Sequence, residues 1–375
     1  MKKKLIVIGS GFAGLSAASF MAKYGWDVTV LEKHAGPGGR ARQLHADGFT
    51  FDMGPSWYWM PDVFERYFTQ FGHQVSDFYT LDRLDPSYRV YWQDGPMDIP
   101  ADYDAQKALF ESIESGAAHQ LDRFIQEAAY KYEVGINKLV FKPGQSLTEF
   151  LDADLVSGVF RLDVFNSIKT HVGKLFKHPK LRQLLEFPVL FLGALPEKTP
   201  ALYSLMNYAD IKGGTWYPRG GMYQIVNGMY QNALELGVQF QFNQEVQSIQ
   251  VKSGKASAVV TADGAFEADV IISGADYHHT ETKLLPEAYR SYSNAYWESR
   301  VMAPSSLIYY VGVKKRLHNM LHHSLFFDTS FDVHGKEIYV SKSWPVDPLF
   351  YVSAPSVTDA TVAPEGYENL FFLVP

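Results

Sequence analysis

Gly9, Gly11 and Gly14 stand in G-x-G-x-x-G spacing directly behind the apolar run Leu5-Ile6-Val7-Ile8, and the next apolar run, Asp27 to Leu31, ends in Glu32. Residues of these types at this spacing do the chemistry of dinucleotide binding. Gly9 permits a tight turn from strand into helix. Gly11, with no Cβ, lets a pyrophosphate approach the backbone, and Gly14 lets helix and strand pack closely. The helix N-terminus adds unpaired N–H groups and partial positive charge. The glycines alone are weak evidence; Glu32 strengthens them, because a carboxylate there accepts hydrogen bonds from ribose hydroxyls and repels a ribose phosphate. FAD or NAD is therefore favoured over NADP.

Residues 36–56, GPGGRARQLHADGFTFDMGPS, decide between the two. Gly38, Gly39, Arg40 and Arg42 put flexible backbone and two planar cations just behind the ribose-binding acid, and arginine donates bidentate hydrogen bonds to a diphosphate. The Gly54-Pro55-Ser56 turn lets backbone come close to a flat ring. A surface loop would carry the same residue types, but joined to the complete fingerprint this stretch points to FAD. Lys2 to Lys4 before a small apolar run also invite a leader or a membrane span. Three glycines, Lys23 and the acid-terminated second strand are features that neither requires, and the stretch is near the lower limit for crossing a bilayer.

The chain resembles the carotenoid and retinoid oxidoreductases, above all the bacterial phytoene desaturases, within the flavin amine-oxidase-like group. The resemblance is carried by IGSGFAGLSAA (8–18), EKHAGPGGRAR (32–42), GFTFDMGPS (48–56), WYPRGGM (216–222), VIISGAD (270–276) and DPLFYVSAPSVTDATVAPEG (347–366). The first two segments fix only the cofactor; the last is more specific to desaturases. The resemblance implies FAD, a hydrophobic polyene substrate and the introduction of C=C bonds into a C40 carotenoid precursor. It places Val246 against adenine through its backbone, Asp276 beside the dinucleotide, and the 216–222 turn near cofactor and substrate. Arg219 reads equally as a surface cation or a flavin-side contact. The cofactor set is thus Gly9, Gly11, Gly14, Glu32, Gly39, Arg40, Gly54, Pro55, Ser56, Val246 and Asp276. No catalytic residue is nominated, and Asp52 and Asp276 read as structural or cofactor-side carboxylates. Family members continue beyond the end of this sequence with a glycine-rich segment over the flavin, so the chain is expected to be C-terminally truncated. Rival readings on the same fold are a carotenoid isomerase, a retinol-saturase-like reductase, and a non-catalytic prenyl-group binder of the GDP-dissociation-inhibitor type.

The elements that must position these residues follow from pattern. A chain of 375 residues, 46% apolar and 15% aromatic, can bury a sizeable core and forms two domains. A net charge of −7 gives nucleic acid no support, and zero cysteines exclude disulfides and thiolate metal sites. His278-His279 and His322-His323 lack carboxylates in a ligand arrangement, so no metal is expected. The fold class is α/β: a Rossmann-like FAD/NAD(P)-binding domain from residues 1–80 and 205–285, interleaved with an α+β substrate domain from 81–204 and 286–375 that carries a helical cap. The patterns predict helices over 15–24 and 61–72, a hairpin within 84–100, the cap over about 101–200, and a second hairpin about Asp263-Gly264. Further strands are expected near 238–251, 270–273, 305–313 and 370–375, and Phe326-Phe327 and Leu349 to Val352 read as apolar wall. In the cap, Lys169, Lys174, Lys177, Lys180 and Arg182 alternate with leucines ahead of Phe187 to Leu192. That segment reads either as a solvated basic face beside a buried helix or as a surface lying on an anionic bilayer. The expected location is the cytoplasm, with peripheral contact at the inner face of the cell membrane.

Overall fold

The structure is a computed structural model describing residues 2–146 and 162–375. Its first layer grows from β1 (Lys4–Ile8), whose Leu5 to Ile8 are all buried. β1 runs parallel to β2 (Asp27–Leu31) on one side and to Val270–Ser273 on the other, and Gln239–Gln241 extends the sheet beyond β2. The centre of a parallel sheet is covered on both faces, which is why Leu5 to Ile8 of β1 are apolar on both sides, while the edge strand Gln239–Gln241 alternates. One face packs Leu5, Val7, Val28 and Val30 against Ala18 and Ala233 of the flanking helices. The other packs Ile6, Ile8 and Leu31 against Val246, Ile249 and Val259, beneath a three-stranded antiparallel sheet. That sheet contains the hairpin expected about Asp263-Gly264.

Helix α1 (Phe12–Lys23) begins three residues before the predicted start. Gly9, at φ +86°, turns the chain so sharply that Gly11 already caps the helix. The helix expected over 61–72 spans Pro61–Thr69.

The second layer is a mixed six-stranded sheet ordered Leu307–Val313, Glu368–Val374, Phe350–Ser353, His323–Phe326, Tyr88–Trp92 and Gly95–Ile99. The last two are the hairpin expected within 84–100. His323–Phe326 joins Tyr88–Trp92 in parallel, a pairing between distant parts of the chain that no local pattern announces. Against this sheet lie cap helices Tyr103–Ile113, Ala117–Val134, Ile168–Leu175 and Pro179–Glu186, sealed by Phe110, Leu121, Phe124, Val172, Phe176 and Leu181. Asp102 caps the first by accepting the Ala105 N–H, and Ser167 the third by accepting that of Thr170. Residues 147–161 of the predicted cap lie outside the described residues.

The basic segment is built into this core. Leu181, Leu184, Leu185, Phe187 and Val189 are buried inside the protein. Lys169 pairs with Glu197 and Asp332, Lys180 with Asp94, and Arg182 donates to the Phe176 carbonyl. The solvated basic face is thus the reading that fits. The bilayer-lying reading lacks its apolar side, because those side chains already have partners. Among the described residues, no helix is long and apolar enough to cross a membrane.

A Cβ on Gly14 would sit 2.0 Å from the Gly9 carbonyl oxygen, backbone that no side-chain rotation relieves. Gly14→Ala is therefore expected to cost about 3 kcal/mol or more, read as a lowered urea midpoint at unchanged m-value.

Candidate functional site

A cleft of about 750 Å³ opens at the carboxyl ends of β1, β2 and Val270–Ser273, where open parallel sheets hold ligands. Gly11, Phe12 and Ala13 form its floor. Gly11 has extended backbone (φ −73°, ψ −179°), offers no side-chain cap to α1, and the first helical turn carries no acid. The N–H groups there are available to an anion. A Cβ placed on Gly11 would meet Gly39 Cα at 3.9 Å, an ordinary contact, so glycine there relieves no clash. Gly39 (φ +56°) lies directly opposite: its Cβ would stand 3.1 Å from Gly11 Cα. The two bare backbones thus pass in contact at the floor, so no side chain narrows the cradle above them, where a pyrophosphate would lie.

Glu32 lines the same cleft and is 3% exposed. Its Oε2 accepts the Ser10 N–H at 2.8 Å and the Ser10 hydroxyl at 2.7 Å, and Oε1 accepts the His34 N–H at 3.0 Å. The carboxylate is thus pre-positioned by its own chain and keeps lone pairs for ribose hydroxyls. The part played by Ser10 was missed in the sequence, where only the glycines on either side were read.

The remaining expected residues divide. Arg40 is exposed at the cleft mouth, while Arg42 turns back and donates to the Gly39 carbonyl at 2.8 Å, fixing the Gly38–Arg40 turn. Val246 and Asp276 line the far wall; Asp276 also caps a short helical turn by accepting the His279 N–H. Gly9 and Gly14 shape the turn, Gly14 from outside the cavity lining. Gly54 has a packing role: its Cβ would lie 2.1 Å from the Arg40 carbonyl oxygen. Pro55 lines the cleft, but Ser56 lies beyond the turn, in a second cavity of about 20 Å³ shared with Asp52, Tyr217, Met222, His322 and Ser353.

Two carboxylates hold the turn beside this second cavity. Asp52 accepts the N–H groups of Met222 (2.7 Å) and Tyr223 (3.1 Å) at the head of helix Tyr223–Glu235, and burial raises its carboxyl to about 6. Asp359 accepts the Gly220 N–H at 2.6 Å, and Gln43 donates to the Gly220 carbonyl at 2.9 Å. Arg219 points away and pairs with Asp82 on the surface, which resolves its two readings in favour of the surface cation. Behind Ser56 the wall is aromatic: Trp57 packs on Trp59, Tyr88, Phe187 and Tyr351. His322 and His323 complete it. Burial lowers the imidazole of His322 to about 3, against the opposing pull of Asp359; burial, with the neighbouring His322, also holds that of His323 well below its ordinary value, so both are neutral.

Residues 12–358 match the family model described as flavin containing amine oxidoreductase. Over 372 residues the chain is 41% identical to a carotenoid 3,4-desaturase of Haloarcula japonica, covering 98% of this chain and 75% of that protein. A zeta-carotene-forming phytoene desaturase of Myxococcus xanthus is 32% identical over 375 residues, covering 100% of this chain and 72% of the relative. The putrescine oxidase structure bound to putrescine superposes with a TM-score of 0.62 at 14% identity, covering 100% of this chain and 76% of that one, a likeness of fold.

A Cβ on Gly11 meets Gly39 Cα at an ordinary 3.9 Å, and valine is a poorer helix N-cap than glycine, so Gly11→Val is expected to fold at a cost of about 1–2 kcal/mol in stability. Its branched side chain fills the cradle, and FAD affinity is expected to fall about 100-fold, or about 2.7 kcal/mol. Chemical denaturation of the FAD-free protein and flavin titration measure the two effects separately.

Proposed function

The chain belongs to the flavin-containing amine oxidoreductase family, and from that premise we propose that it is an FAD-dependent carotenoid desaturase, introducing C=C bonds into a C40 polyene. The observation that carries this reading is the pairing of two unlike surfaces across the Gly54–Ser56 turn. On one side lies the dinucleotide cleft; on the other stands a wall of buried aromatics and neutral imidazoles. A polyene offers nothing for a charged group to bind, and a wall of this composition suits it. The carotenoid desaturases to which the chain is similar support the same substrate class.

In this reading the α1 N-terminus and the bare backbones of Gly11 and Gly39 hold the pyrophosphate, with Arg40 as a cation at the mouth. Glu32 accepts the ribose hydroxyls, Val246 lies along the adenine, and Asp276 closes the far side. When bound, the flavin supplies a two-electron acceptor for hydride at its N5. The protein's own contribution is to hold one saturated C–C unit of the polyene still and to exclude water. The Asp52 and Asp359 contacts to the 217–223 turn keep the two sides in register. Work at the cytoplasmic face of a membrane belongs to the same proposal, since such a substrate dissolves in lipid. Val301, Met302, Trp344 and Val346, each more than three-quarters exposed, are apolar surface suited to that contact.

The full-length protein is expected to purify yellow and, with phytoene or a more desaturated carotene in liposomes, to generate absorption at longer wavelength. Loss of visible absorption instead would mark a saturating reductase. A spectrum changed only by isomer shifts would mark an isomerase, and a colourless protein that takes up no flavin a prenyl binder.

A further inference from the structure

Desaturation removes two hydrogens from neighbouring carbons. One leaves as hydride with its electron pair, which the flavin accepts; the other leaves as a proton, and the electrons of its C–H bond become the new π bond. The proton must reach water from a site built to keep water out. We propose that His322 is the relay that carries this proton from the small cavity beside Ser56 to the Thr358 hydroxyl at the surface, an inference that rests on the desaturase reading above.

The geometry supplies an inner cavity and an outward contact on the same ring. His322 lines the 20 Å³ cavity with Ser56, Tyr217, Ser353 and Asn369. That volume is enough for one water molecule, and the polar lining gives it partners. On its other edge the ring Nδ1 lies 2.9 Å from Thr358 Oγ1. His322 is 5% exposed whereas Thr358 is open to solvent, so the imidazole bridges inside and outside. With Nδ1–H donating to Thr358, Nε2 is the acceptor. A proton arriving at Nε2 releases that on Nδ1 to the threonine oxygen, whose own proton passes to bulk water. Exchange with water restores the tautomer once product has left.

Other groups near the cavity are less suited. Both oxygens of Asp52 already accept N–H donors, from Met222, Tyr223 and Gln43, and protonating it would strip the Tyr223–Glu235 helix of its cap. His323 is fully buried, stacked 4.0 Å from the Trp57 ring and bonded to the Tyr351 hydroxyl, and its ring meets that of His322 at 4.5 Å, so a path outward from it runs through His322. Burial also keeps His322 weakly basic, so at neutral pH the ring is uncharged, with one nitrogen open to accept a proton. The carbon centre left after hydride loss is acidic enough to protonate even such a base.

The test uses the FAD-loaded, full-length protein in an anaerobic single turnover, following flavin bleaching and, with an indicator dye, proton release. In the parent the two coincide. In Thr358→Val, an exposed and nearly isosteric change, and in His322→Gln, proton release is expected to lag bleaching by about tenfold or more, at unchanged flavin content. A residue that merely supports the fold would slow both signals together. In FAD-free protein carrying ¹⁵N-histidine, the parent His322 is expected as the Nδ1–H tautomer and Thr358→Val as a mixture with Nε2–H. Proton release that stays synchronous in both variants overturns the relay while leaving the desaturase reading intact. A parent that takes up flavin but never desaturates a polyene overturns the reading and the relay with it.

Discussion

The rest of the structure depends on a meeting of backbones at the end of β1. Gly14 packs against the Gly9 carbonyl, and Gly274, leaving the third strand of the sheet, lies so close that its Cβ would stand 3.1 Å from the Ile8 oxygen and 3.2 Å from Gly14. Strand, turn, helix and returning strand are thereby locked with no side chain between them. The glycines do different work within this knot. Gly9 supplies a left-handed turn and Gly14 a close approach, both of which the protein needs whether or not a ligand is present. Gly11 sits in ordinary contact with Gly39 at the cleft floor, with neither a positive φ nor a clash to demand glycine. The same reasoning separates Gly54, pinned against Arg40, from Pro55, which faces the cleft.

A second constraint makes the two layers a single site. The 217–223 turn leaves the ribbon strand Trp216–Pro218 and enters the Tyr223–Glu235 helix, and Asp52 reaches it from the Phe49–Asp52 strand just before the Gly54–Ser56 turn. Asp359, from beside the six-stranded sheet, grips Gly220 from the other direction. A buried carboxylate satisfied by backbone N–H groups is worth more than a surface pair, and removing one leaves several donors unpaired at once. The Arg219–Asp82 pair, two-thirds exposed on the arginine side, contributes far less to this register.

Much of this was legible because the signals are local. The β1–turn–α1 fingerprint, the hairpins at 88–99 and 255–267, and the capped cap helices each follow from a few consecutive residues. What could not be read depends on distant partners. No pattern near 323–326 says that it pairs in parallel with 88–92, and none near Asp52 says that its carboxylate will cap a helix beginning at residue 223. The basic stretch at 169–182 misleads for the same reason. A leucine-and-lysine rhythm looks alike on a bilayer and on a protein core, and only the burial of Phe187 and Val189 distinguishes them.

Glu32 shows why residue identity at a nucleotide site is a weaker argument than the space around it. Read in sequence, the acid is a ribose ligand, and its retention argues against a binder that holds no nucleotide. In the fold it also satisfies the Ser10 N–H and hydroxyl and the His34 N–H at a 3% exposed position, so the protein has its own reason to keep a carboxylate there. Replacing it would disturb the turn and the ligand together, and weakened FAD binding in such a variant would not separate the two. Gly11 carries no such double duty. A Cβ there would meet only an ordinary contact, yet the position is bare and lies against the equally bare Gly39 at the cleft floor. A glycine costs backbone entropy, and here it keeps side chains out of the space a pyrophosphate would take. For that reason the case for a flavin dinucleotide rests more firmly on the missing Cβ than on the acid beside it.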